Sequence, residues 1–177
     1  MRNSLWTVSN TIMLLCLIFT AISYVIDLRL FGMNSYFYSQ GNYLYWVLQM
    51  FSSQFLHWWP LHLMMNAFFV LYFWNVLERI IWQRKMILFY ILNAIFLWVC
   101  LTFLTNANTI WMSWFAMALL SYYTLELYNR WNPEYTGGIT ALVINIWIGF
   151  TPGISLVGHL GGAVFGVLFY YCLTKGK

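Results

Sequence analysis

Charged side chains are scarce in this sequence of 177 residues. Asp, Glu, Lys and Arg together make up 7% of it, whereas hydrophobic residues make up 63% and the mean hydropathy is +0.72. A soluble domain carries about a quarter charged residues, because its surface must be hydrated. The shortage of charge excludes a soluble globular fold and implies that lipid covers most of the surface. We therefore predict an all-α, polytopic membrane protein.

Cysteine is also rare, and the few basic residues are not clustered. All three cysteines lie in apolar runs: Cys16, Cys100 and Cys172. This is typical of small core residues and not of a disulfide framework or a metal cluster, so we expect no cofactor and no metal. The net charge of +4 comes from scattered Lys and Arg residues, which argues against nucleic acid as a partner.

Six apolar runs are long enough, or nearly so, to cross a bilayer as helices. A spanning helix needs about 20 mostly apolar residues. The runs are bounded by polar, Pro and Gly clusters, near 7–27, 58–81, 86–105, 110–128, 137–151 and 155–174. We expect no cleavable signal peptide, because no small-residue cleavage pattern follows a short apolar core. No internal repeat or linker separates the runs, which predicts a single six-helix domain over residues 1–177.

The positions of Lys and Arg predict how these spans are oriented. With six spans, all Lys and Arg residues except Arg29 fall on the side of the two termini. Because cytoplasmic loops carry an excess of Lys and Arg, both termini are expected in the cytoplasm of a cell-membrane protein. Residues 28–57 then form a long outward loop. Its many aromatic residues predict that it lies in the outer membrane interface.

Four polar side chains on three different spans are predicted to lie at one depth. His62 and Asn66 belong to the second span, Ser113 to the fourth and His159 to the sixth. At 1.5 Å per residue, all four lie within roughly 5–12 Å of the outer boundary. Polar groups are costly in lipid and mark candidate sites. A serine and a histidine at equal depth suit nucleophilic catalysis, and a second polar pair could bind an oxyanion.

Each of these residues also has a structural interpretation. A serine near a helix end usually has a structural role. A histidine near the membrane surface often only places its polar ring in the interface. His62 and Asn66 are four residues apart on one helix face and could be an interhelical hydrogen-bonding pair.

A stripe of small residues lies on the sixth span. Gly158, Gly162 and Gly166 recur every four residues and allow another helix to approach closely. This fits ordinary helix packing, and it also fits a need for His159 to reach a short side chain such as Ser113.

Three short segments form a specific combination. They are FLHWWPLHLMMN at residues 55–66, NVLER at residues 75–79 and GHLGGAVFG at residues 158–166. Together they resemble the rhomboid family of intramembrane serine proteases, in its second-span and sixth-span motifs. The resemblance implies a rhomboid-like bundle of six transmembrane helices whose substrates are single-span membrane proteins, cut near the outer boundary.

The resemblance also implies roles for individual residues. Ser113 would be the nucleophile and His159 the general base and acid of a Ser–His dyad. His62 and Asn66 would line the oxyanion hole with the backbone N–H of Ser113. The only aspartate is Asp27, which excludes an intramembrane aspartyl protease, and the absence of H-E-x-x-H excludes a zinc metalloprotease.

The fourth span departs from the family pattern G-x-S-G. Trp111 and Trp114 replace both glycines, and Met117 replaces the aromatic residue usual four positions after the serine. Two indoles could hold the fourth and sixth helices apart. A catalytically weak or inactive rhomboid-like protein that binds membrane-protein clients is therefore the alternative function. A small-molecule or ion permease is disfavoured, because ionisable residues are lacking at mid-membrane.

Overall fold

The computed structural model describes residues 7–27, 31–57, 60–110 and 112–175. Within these ranges the chain forms eight helices and no β-strand, so the predicted all-α class is confirmed. The helices are α1 (Val8–Ser23), α2 (Tyr36–Ser39), α3 (Tyr43–Ser52), α4 (Pro60–Ile81), α5 (Gln83–Leu104), α6 (Ser113–Asn129), α7 (Tyr135–Ile148) and α8 (Leu156–Thr174).

Each of the six apolar runs corresponds to one long helix, with ends that differ from the predicted bounds by a few residues. By length and composition, α4, α5 and α8 are long and apolar enough to cross a membrane, while α1 and α7 are shorter apolar helices. The count of six spans and the single-domain boundary stay predictions.

The segment for which we expected a long outward loop contains two helices, α2 and α3. Tertiary contacts hold α3 against α5. The Trp46 and Trp98 rings lie 4.0 Å apart between centroids. The Trp46 indole N–H donates to Thr102 Oγ1 at 2.9 Å, and the Trp98 indole N–H donates to the Trp46 carbonyl at 3.0 Å. Because these partners lie far along the chain, the local sequence carries little signal for this arrangement.

Local signals set where α8 begins. The Ser155 side chain accepts a hydrogen bond from the Gly158 N–H at 3.0 Å, which satisfies one of the free donors of the first turn. Just before it, Gly153 has a φ of 86°, a backbone conformation that glycine adopts without steric cost. The turn and the cap together determine where His159, in the first turn of α8, enters the bundle.

Helix α6 is the centre of the bundle. It packs against α4, α5, α7 and α8, and most of its residues are buried. Aromatic rings fill the space around it: Phe115 of α6 contacts Phe89 of α5 at 5.7 Å between centroids, and Phe89 stacks on Phe169 of α8 at 4.5 Å. Helix α6 therefore forms contacts with four other helices and holds the bundle together.

Two glycines of α8 bring this helix directly onto the backbone of α6. A methyl group added to Gly162 would overlap the Trp114 carbonyl, and one added to Gly166 would overlap the Ala118 carbonyl and the Ser121 hydroxyl. The neighbouring Gly161 faces α5, because a methyl group there would meet the Leu97 side chain at 3.1 Å and the Phe96 ring at 3.9 Å. Because Gly162 and Gly166 have no side chains, α6 and α8 can lie this close together.

We expect Gly162→Ala to destabilise the bundle by about 1–3 kcal/mol, because the added carbon must push a rigid backbone carbonyl away. The free energy of unfolding can be measured in mixed micelles of increasing SDS fraction. Gly161→Ala is the matched control, since it makes the same chemical change in the same turn but meets a flexible leucine. Equal losses of stability in the two variants would contradict this account of the α6–α8 contact.

Candidate functional site

The Ser113 and His159 side chains meet where α6 and α8 begin. Ser113 is the first residue of α6, and His159 lies in the first turn of α8. The distance between Ser113 Oγ and His159 Nε2 is 3.2 Å, which is hydrogen-bonding distance for a nucleophile and its base. The structure thus brings together two residues that are 46 positions apart in the chain.

The other ring nitrogen of His159 decides which tautomer faces the serine. His159 Nδ1 lies 2.7 Å from the backbone carbonyl oxygen of Asn145 in α7. A carbonyl can only accept, so Nδ1 carries the hydrogen and donates it. In the neutral ring this leaves a lone pair on Nε2, directed at the Ser113 hydroxyl. The imidazole is therefore arranged to accept the proton of Ser113.

Sequence reasoning missed the part that Asn145 plays in this arrangement. The contact uses the main-chain oxygen, which every residue has, so no residue type could signal it. The Asn145 side chain bonds instead within its own helix, where Nδ2 donates to the Ala141 carbonyl at 2.8 Å.

His62 and Asn66 form a hydrogen-bonded pair on α4. The distance between Asn66 Nδ2 and His62 Nε2 is 3.0 Å, as their spacing of four residues on one helix allows. Asn66 is buried, whereas His62 is partly exposed. Because Asn66 Nδ2 has two hydrogens, the contact with His62 leaves a second donor.

A cavity of about 600 Å³ joins the two pairs. Its wall includes all four predicted polar residues, together with Asn108 and Asn145. The rest of the wall is mostly apolar and comes from α4, α6, α7 and the α7–α8 turn: Met65, Phe69, Ala116, Met117, Leu120, Ile148, Pro152, Gly153 and Ile154. The cavity therefore combines a wide apolar surface with a small set of convergent polar groups, as binding sites commonly do.

The position of Ser113 at the start of α6 also matters electrostatically. The first N–H groups of a helix lack partners within the helix and form its positive end. Negative charge that develops on a carbonyl oxygen beside Ser113 would be stabilised by these groups. Within the described ranges, no three His, Cys, Asp or Glu side chains come together so as to hold a metal ion.

Trp114 does not stand between Ser113 and His159. Its side chain is 1% exposed, and its indole N–H donates to Gln54 Oε1 at 3.0 Å. The indole is thus directed toward the connection between α3 and α4. Met117 is buried and lines the cavity. Trp111, the other expected wedge, lies outside the described residues.

His57 lies beside the same site, in the connection that precedes α4. Its ring centroid is 5.4 Å from that of His62, and its Nδ1 is 3.4 Å from Thr20 Oγ1 of α1. Burial, and secondarily the neighbouring His62, lowers the pKa of His57 to about 3, against an opposing effect of the Phe55 backbone. His57 is therefore neutral in the folded protein at physiological pH.

This lowered pKa predicts how stability depends on pH. Between pH 6.5, the ordinary histidine pKa, and about pH 3, the unfolded chain binds a proton at His57 and the folded chain does not. Protonation therefore favours the unfolded chain, and the folded protein loses stability as the pH falls from 6.5 toward 3. We expect His57→Gln to remove up to roughly 1.4 kcal/mol per pH unit from the slope of stability against pH in this range. Unfolding in SDS micelles between pH 4 and 7 measures it, and equal slopes in parent and variant would contradict it.

Most of the chain matches a known protein family. The family model described as Rhomboid domain matches residues 45–176. The match begins within α3 and runs through α8, so it contains Ser113, His159, His62 and Asn66, while α1 lies outside it. No curated protein matches the chain.

Proposed function

The chain belongs to the rhomboid family, and from that premise we propose that it is an intramembrane serine endopeptidase. The match confirms the predicted family and, with it, the polytopic helical membrane fold. The proposed substrates are the transmembrane segments of single-span proteins in the lipid bilayer, cut near the outer boundary of the membrane.

The observation that carries the proposal is the contact between Ser113 Oγ and His159 Nε2 at 3.2 Å. In the proposed reaction, Nε2 takes the hydroxyl proton as Oγ attacks the scissile carbonyl carbon. The ring is then positively charged, and its Nδ1–H stays bonded to the Asn145 carbonyl. His159 passes the proton to the departing amine, takes one from the water that hydrolyses the acyl-enzyme, and returns it to Ser113 Oγ as the acid product is released.

Asn66 and His62 are proposed to stabilise the tetrahedral intermediate. One Nδ2 hydrogen of Asn66 faces His62, and the second can donate to the oxyanion together with the Ser113 backbone N–H. His62 then orients the amide from one turn away. Donors held in place before the reaction lower the barrier without having to reorganise during it.

The apolar wall of the cavity supports a membrane-embedded substrate. Side chains such as Phe69 of α4 and Ile148 of α7 can contact an apolar segment that enters from the bilayer. The polar groups are few among the lining residues, so a peptide bond that reaches Ser113 would leave the rest of the segment in a mostly apolar environment.

The charge distribution supports an orientation with both termini in the cytoplasm. All Lys and Arg residues except Arg29 lie on the side of the termini when six spans are assumed. This orientation puts the beginning of α6 and of α8, and hence the candidate dyad, near the outer face. The contacts of α1 with α4 support one domain that includes α1.

One observation favours a second function. Tryptophans stand at positions 111 and 114, where the family pattern has glycines. A catalytically weak or inactive relative that binds membrane-protein clients would use the cavity but would not need the dyad.

We expect a fluorophosphonate probe to label Ser113 of the detergent-purified protein, and Ser113→Ala or His159→Ala to abolish labelling. The serine supplies the reacting oxygen and the imidazole removes its proton, so labelling requires both side chains. Mass spectrometry of the labelled peptide identifies the residue.

Ser121→Ala is the matched control for that experiment. Ser121 lies in the same helix, is buried, and donates to the Ala118 carbonyl at 3.1 Å without lining the cavity. Its loss should leave labelling intact. Labelling of Ser113→Ala at the parent level, or none of the folded parent protein, would overturn the protease assignment and favour the client-binding function.

Asn66→Ala is expected to slow labelling of Ser113 by about 10²–10³-fold, the usual cost of one oxyanion donor. Asn93→Ala is the control, because Asn93 is another buried asparagine of an apolar helix but does not line the cavity. The pseudo-first-order rate constants of labelling are compared for proteins of equal folded fraction. Equal rates in both variants would remove Asn66 from the oxyanion hole.

A further inference from the structure

Gln54 and Trp114 form a buried polar contact beside the candidate dyad. The Trp114 indole N–H donates to Gln54 Oε1 at 3.0 Å, and the two side chains are 1% and 3% exposed. A buried indole N–H needs a partner, because burying it without one forfeits its hydrogen bond to water. Gln54 supplies that partner from the connection between α3 and α4, 60 residues away in the chain.

The part of the same indole away from its N–H lies against α8. A methyl group added to Gly158 would lie 3.1 Å from Trp114 Cε3, so the indole packs closely against this glycine. Gly158 immediately precedes His159, and Trp114 immediately follows Ser113. The indole therefore contacts one helix next to the candidate base and belongs to the other helix next to the candidate nucleophile.

We propose that Gln54 is a positioning residue of the dyad, which acts by holding the Trp114 indole against Gly158. This inference rests on the proposed protease function for its consequence, the reactivity of Ser113. With the indole held at both sides, the first turn of α6 cannot rotate relative to the first turn of α8. The Trp114 indole then sets the distance between Ser113 and His159, and it does not hold the two residues apart.

Further contacts hold Gln54 itself in place. Its backbone carbonyl accepts from the Cys16 thiol of α1 at 3.9 Å, and the same sulfur is 3.9 Å from Met112 Sδ, one residue before Ser113. The Thr20 hydroxyl of α1 donates to the next carbonyl, that of Phe55, at 3.3 Å. Helix α1 thus supports the segment that carries Gln54, although it lies outside the family match.

The test compares Gln54→Leu, which removes the acceptor at similar size, with Gln54→Glu, which keeps an acceptor oxygen. We expect Gln54→Leu to slow fluorophosphonate labelling of Ser113 by about tenfold, because small misplacements of a nucleophile are costly, and Gln54→Glu to recover most of the parent rate. Trp114→Phe should have the same effect as Gln54→Leu, and combining the two should slow labelling no further.

Trp46→Phe is the matched control, because it removes another indole hydrogen bond, to Thr102, away from the cavity. It should lower thermal stability without lowering the labelling rate of the folded protein. The inference is overturned if Gln54→Leu loses stability but labels at the parent rate, or if the Gln54→Leu and Trp114→Phe effects multiply. If Gln54→Leu does not fold, Trp114→Phe compared with Trp46→Phe decides in the same way.

A second readout separates this inference from the proposed function. The imidazole ¹⁵N resonances of His159 report its contacts with Ser113 and Asn145 without any probe reaction. If folded parent protein is not labelled, the protease assignment fails, but a change of these resonances in Gln54→Leu and not in Trp46→Phe still supports positioning by Gln54. Unchanged resonances in Gln54→Leu overturn it.

Discussion

The close approach of α8 to α6 is the contact on which the rest of the arrangement depends. At Gly162 and Gly166 no side chain separates α8 from the backbone of α6. Only at that separation can a serine side chain, which is short, reach an imidazole on another helix. In a bilayer, apolar side chains gain little from leaving lipid, so this contact must be stabilised by packing and hydrogen bonds. The glycines supply the packing, and the aromatic cluster around Phe89 fills the space behind it.

The polar groups of the candidate site are placed where backbone groups can serve them. Ser113 and His159 lie in the first turns of their helices, where the backbone has donors without helical partners. The carbonyl of Asn145 takes the place that a carboxylate has in a catalytic triad. A carbonyl orients the ring without bringing a second charge into a low-dielectric region, where an unpaired ion would be costly. The arrangement is thereby compatible with a chain that contains few acidic residues.

How much was predictable differs from residue to residue. The six helical runs could be predicted because polar groups are costly in lipid, so a spanning helix needs a long apolar run. Such a run can be recognised from the local sequence without any tertiary contact. His62, Asn66, Ser113 and His159 could be singled out because polar residues are rare in such runs. Helix α3 was not predicted, since its Trp46 is held by Trp98 and Thr102 of a distant helix. Gln54 and the Asn145 carbonyl were missed for the same reason: each acts through a partner far along the chain.

The sequence by itself determined the solvent of this protein and its helical class, and it predicted one depth for its polar residues, because each of these depends on runs and spacings along one chain. It also contained the motifs of its family. Only the tertiary structure decided which helix faces meet, which way the Trp114 indole points and which nitrogen of His159 carries the hydrogen. These depend on the rotation of one helix about its axis relative to another, which the packing of the whole bundle sets and no local pattern contains.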